Sequence, residues 1–108
     1  MDISIEQRVT NGAKLLDEHE PRWFTMVELE VFNITSTSSC ILGQVYGTFS
    51  AGTRELDIEG NRPEEERLGF ELTHEEYNSE FCPEIQEEIE HAWYAQIEAR
   101  RLGTDLNL

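Results

Sequence analysis

Three clusters in the chain have residue types and spacing from which a reactive site is assembled. Glu84, Glu87, Glu88 and His91 fall close together. Glu88-x-x-His91 sets a carboxylate and an imidazole on one helical face, as in di-iron bundles. Those sites take two such pairs and two further Glu, all facing inward. Only one pair falls in this last-helix segment, and it lies off the apolar stripe Ile85–Ile89–Trp93. The expectation is a solvated acidic face, with no metal ligand assigned.

Asp17-Glu18-His19-Glu20 forms the second cluster, just before Pro21. Carboxylates there meet the negative end of the helix dipole, which would favour a nearby cation or basic partner. An exposed helix end held by distant packing is the simpler reading. Cys40 is the third. A thiol opening a helix tends toward a lowered pKa, but Ile41 and Leu42 bury its surroundings and no His lies near it in sequence. Nucleophilic catalysis needs a base beside the nucleophile and a third group to orient that base. His74 has no partner signal, and Gly43 and Gly47 match no phosphate-binding loop. The expectation is a protein that is not an enzyme, with no catalytic residue and no cofactor.

The elements that must carry these residues read as mainly α. Three to four helices are expected around a short central apolar helix, with room for a minor β-strand or hairpin. Ser4 and Gln7 fit a capping box for a first helix ending near Glu18 to Glu20, where Pro21 disfavours helical geometry. Ile5, Val9, Gly12 and Leu16 share a face, and Gly12 signals close approach by another backbone. Val27, Leu29 and Val31 alternate with Glu28 and Glu30, the period of a half-buried strand. The polar run 35–39 leads into the central helix Cys40–Tyr46, which Gly47 stops. Residues 48–72 read as irregular, punctuated by Gly52, Gly60-Asn61 and Pro63. Thr73-His74-Glu75-Glu76 is another capping box. Pro83 fits the first position of a last helix whose stripe is Ile85, Ile89, Ala92, Trp93 and Ile97, with Gly103 as its C′ residue and a fraying tail over 104–108. The expected core joins that stripe to Cys40, Leu42, Tyr46 and Trp23.

One segment carries a resemblance. Cys40-Ile41-Leu42-Gly43-Gln44-Val45-Tyr46-Gly47 resembles small uncharacterised acidic proteins of actinobacterial phages and their hosts. Gly12 with Leu15-Leu16-Asp17, Pro21, Trp23, Leu68-Gly69-Phe70 and the closing Trp93…Ile97-Glu98-Ala99-Arg100-Arg101 extend the likeness over most of the chain. Such sequences often carry a second Cys two positions before the first, where this chain has Ser38, so a Cys-x-Cys metal pair has no support. The resemblance implies a phage or bacterial cytoplasmic setting and supplies no activity.

Composition narrows the partner. The chain has 108 residues, 23 acidic against 8 basic, and a net charge of −15, which suits one domain. This balance argues against nucleic acid and anionic lipid, whose binding rests on Lys and Arg. No apolar run approaches a membrane span, and the N-terminal residues lack a signal peptide's regions. Cys40 and Cys82 are expected as reduced thiols, with a bridge left open. From Glu55 to Glu90 there are 14 Asp and Glu against Arg62 and Arg67, a local charge of −12. Such a stretch serves solubility or docks a basic protein, in a phage setting a host DNA-binding protein. The leading expectation is a small acidic cytoplasmic interaction protein, with Glu55, Asp57, Glu59, Glu64, Glu65 and Glu66 as partner contacts. A metal-dependent or thiol enzyme is the alternative. A structural role through self-association is a third possibility, and the oligomeric state is left open, a homodimer included.

Overall fold

The computed structural model describes residues 3–106, with side chains described through residue 103. The chain is mainly helical: α1 (Ile5–His19), a 3₁₀ turn (Trp23–Thr25), α2 (Ile41–Tyr46), α3 (Phe49–Glu55), α4 (Arg62–Arg67), α5 (His74–Tyr77) and α6 (Cys82–Leu106). No strand occurs among the described residues, and no described helix is long and apolar enough to cross a membrane.

Helix α1 begins as its cap predicts, with the Ser4 hydroxyl accepting from the Gln7 N–H. Its buried face, Val9, Gly12, Ala13 and Leu16, lies against α6. The α6 stripe Ile89, Trp93 and Ile97 is fully buried. Trp93 stacks on Phe70 at 5.6 Å and meets Trp23 edge-on at 5.8 Å. Its indole N–H donates to the Gly69 carbonyl at 2.8 Å, which satisfies the one polar atom this ring brings into the core.

Helix α2 packs on α3 rather than serving as the hub around which the others gather. Ile41, Leu42 and Gly43 are buried, while Val45 and Tyr46 are half-buried. Its N-cap is Cys40 itself, whose Sγ accepts from the Gly43 N–H at 3.3 Å. Gly47 ends it with a φ of 100°.

The alternating segment 27–31 is a set of turns. Val27 is buried, Leu29 half-buried and Val31 exposed, so the residues do not share a face. With no neighbouring strand, side chains take the place of ladder partners. Gln44 accepts from the Glu28 N–H at 2.7 Å and donates to the Glu28 carbonyl at 3.3 Å. Arg101 donates to the Phe24 and Val27 carbonyls, the latter at 2.6 Å. The Glu90 carboxylate accepts from the Ile34 N–H at 3.0 Å.

Residues 48–72 are more ordered than their punctuation implies. Thr48 caps α3 by accepting from Ala51, and Asn61 caps α4 by accepting from Glu64. Pro63 sits in the first turn of α4. Asn61 and Pro63, which look like breakers, start a helix, since Asn at the cap and an early Pro favour a helix N-terminus, and Gly52 lies inside α3. The capping box on α5 is fully formed. Helix α6 begins one residue before Pro83 and runs through Gly103, whose φ is not positive. The anticipated C′ stop is absent and the helix continues to Leu106; Asn107 and Leu108 lie outside the described residues.

Candidate functional site

The fate of the basic residues defines the surface. Arg8 is 2% exposed and binds Glu76 through both terminal nitrogens, at 2.8 and 3.1 Å. Its remaining donors reach the Glu66 carbonyl at 2.9 Å and the Glu71 carbonyl at 3.0 Å. This one guanidinium therefore ties α1 to α4, α5 and the segment between them. Arg62 binds Glu66 at 3.0 Å and the Leu72 carbonyl at 3.1 Å. Arg67 meets Glu64 and Arg54 meets Glu59, both at 3.3 Å. Arg100 grips Asp17 at 2.7 Å, and Arg101 holds the carbonyls already described. Only Lys14 and Arg22 among the basic residues lie outside these ties, and both are exposed. The excess of carboxylates faces solvent on several elements: Glu55, Asp57, Glu75, Glu80, Glu84, Glu87, Glu88 and Glu98.

The expected contact set divides in two. Glu55, Asp57 and Glu59 are exposed at the end of α3 and on the connection to α4, Glu59 while paired with the exposed Arg54. Asp57 holds a φ of 59°, a left-handed conformation that Asp tolerates better than most residues. Glu64, Glu65 and Glu66 do not form the open acidic face expected of them. Glu64 is paired with Arg67, and the Glu66 side chain is 13% exposed and held by Arg62. Glu65 is 8% exposed, and burial, with Glu71 nearby, pushes its carboxyl above the usual range. Three consecutive Glu on a helix cannot share one face, since successive side chains are rotated by about 100°.

The other clusters resolve as structure. The Arg100 guanidinium holds the Asp17 carboxyl below the usual range, and Asp17 also accepts from the Trp23 indole at 2.9 Å. The cation called for at the end of α1 is thus supplied by the chain itself. Burial pushes the Cys40 thiol up, the reverse of an activated nucleophile. Cys40 and Cys82 are both free thiols. Glu88 and His91 are exposed on α6, and no group of three or more His, Cys, Asp or Glu among the described residues could hold a metal ion. Sequence reasoning missed the pairing of buried Arg8 with half-buried Glu76. Its signal was an Arg on the Ile5–Val9 face of an amphipathic helix, one position from the apolar stripe.

Comparison with family models, curated proteins and solved structures found no match.

Proposed function

We propose that this chain is a small acidic interaction protein that docks a basic protein partner and carries out no chemistry of its own. The observation supporting this reading is the asymmetry of its charges. Most arginines are engaged in ion pairs or on backbone carbonyls, whereas many carboxylates remain in water. A surface of one sign attracts partners of the other and speeds their encounter. The buried Cys40 and the scattered imidazoles and carboxylates favour binding over catalysis. A phage or bacterial cytoplasmic setting rests on the resemblance of the 40–47 segment. A basic DNA-binding protein of the host fits both the charge and that setting, with carboxylates taking the place of phosphates.

Capture from a bacterial lysate at low and high salt tests this reading. A basic protein retained at low salt and released at high salt is the expected result. The variant Glu55→Lys, Asp57→Asn, Glu59→Lys should slow association without disturbing the fold, since all three residues are exposed. Asn is used at Asp57 because it tolerates the left-handed backbone. Salt-independent capture, or a reactive Cys40 with turnover of a substrate, would overturn the reading.

A further inference from the structure

A groove of about 450 Å³ lies between α1 and α6. It exists because Ala92 and Ala95 leave only methyl groups in the angle between two helices. Glu6 of α1 and Glu88 of α6 line it, both exposed, and no Lys or Arg is among the described residues that do. A bond of 3.2 Å from the Gln96 amide to the Thr10 hydroxyl fixes the two helices to each other at this point. Beyond the groove the α6 surface continues through Ala99 to Leu102, the latter 62% exposed.

Ala92, Ala95, Ala99 and Leu102 recur at intervals of three and four, the spacing of a helix–helix seam. Ala92 packs at the edge of the core, while Ala95, Ala99 and Leu102 are exposed on a side of α6 away from Ile89, Trp93 and Ile97, so a second, solvent-exposed apolar strip continues from the groove. Small side chains in such a seam let another helix come close. The charge indicates which helix. A second copy would bring its own −15 against Glu6, Glu88 and Glu98, whereas a helix with Lys or Arg beside its apolar stripe complements them.

We propose that the α1–α6 groove seats one basic amphipathic helix of a partner protein. Its apolar stripe lies along Ala92, Ala95, Ala99 and Leu102, and its cations face Glu6, Glu88 and Glu98. This deepens the reading of the chain as an acidic docking protein and rests on it. The other exposed carboxylates steer the partner, and the groove holds it.

The test uses the isotope-labelled full chain and two synthetic peptides of identical Lys, Leu and Ala composition. One is an amphipathic helix, and the other has the same residues in an order that gives no stripe. The amphipathic peptide should bind about tenfold tighter and move the amide resonances of Glu6, Thr10 and residues 88–102. Ala95→Glu then separates shape from charge, because it fills the groove while making it more acidic. That variant, checked for an unchanged melting curve, should lose the preference for the amphipathic peptide. Equal binding of both peptides, or stronger binding to Ala95→Glu, would overturn the groove and leave the acidic docking reading standing. Binding of neither peptide at low salt would overturn both. A dimer of the chain alone that Ala95→Glu dissociates would make the occupant a second copy and so overturn the partner helix.

Discussion

Gly12 of α1 faces the Leu68 carbonyl so closely that a β-carbon at position 12 would lie 1.9 Å from that oxygen. The sequence signal, a glycine inside a helical stripe, and its cause, a backbone seated against it, correspond directly. Gly69 repeats the device one residue on, with a φ of 73° and the Val9 α-carbon 2.9 Å from where its β-carbon would be. These two glycines let α1 lie on the 68–70 turn beneath which Trp93 stacks.

Gly12→Ala is therefore expected to destabilise the fold by about 1–3 kcal/mol, despite the better helix propensity of Ala. Gly103 is the counter-case: it is helical, and nothing lies within 4 Å of its β-position. Gly103→Ala should stabilise by about 0.5–1 kcal/mol. Urea midpoints of the two variants should move in opposite directions.

Glu76→Gln should cost about 3–5 kcal/mol, because Arg8 is left buried without its counter-charge, and Arg8→Met should cost less, because the half-buried Glu76 is reached by water. Arg8→Lys should rescue little of this, since an ammonium cannot serve a bidentate carboxylate and two carbonyls at once. Denaturant unfolding of Arg8→Met, Arg8→Lys and Glu76→Gln is the measurement.

Stability should peak in mild acid. For Glu76, burial raises the carboxyl, but the bonds from Arg8 and Thr73 outweigh it and hold the group below its usual range. Its contribution is present above the unfolded value, about 4.3, and is lost as pH falls through the folded value. The raised Glu65 behaves in the opposite way. Its contribution is full below the unfolded value and is lost as pH rises through the folded one. Thermal midpoints should thus rise from neutral pH toward about 5 and fall below about 4. Glu65→Gln should flatten the limb toward neutral pH, and Glu76→Gln the acid limb.

Exposed carboxylates in excess repel one another, so salt should stabilise the folded chain. Melting temperatures at about 300 mM salt should exceed those at about 20 mM, because the screening length shortens several-fold between them. Coincident midpoints would mean that the carboxylates are too dispersed in space to interact.

The two thiols should differ in reactivity. Cys82, half-buried, should label in the native state, whereas Cys40, 3% exposed and with its pKa raised, should label only in denaturant. Thiol titration with and without urea reads this directly.

The sequence alone determined the first and last helices, the Ser4 cap of the first and the apolar faces of both, because those features are local. A Ser or Thr hydroxyl reaches its own first turn, and the spacing of Ile89, Trp93 and Ile97 needs no knowledge of the partner. It determined the stop at Gly47 and the crowding at Gly12 for the same reason. The tertiary structure decided what depends on distant neighbours. Whether Val27-Glu28-Leu29 became a strand turned on a second strand being available, and Gln44 and Arg101 satisfied its backbone instead. Whether Glu64, Glu65 and Glu66 formed an open acidic face turned on Arg62 and Arg67 beside them and on the burial of Glu65. Whether Ala92 and Ala95 lined a groove turned on the position of α1, which the Thr10–Gln96 and Asp17–Arg100 bonds set from more than 80 residues away along the chain. Local rules write the caps and stripes, but the net charge of a surface is what remains after long-range pairing.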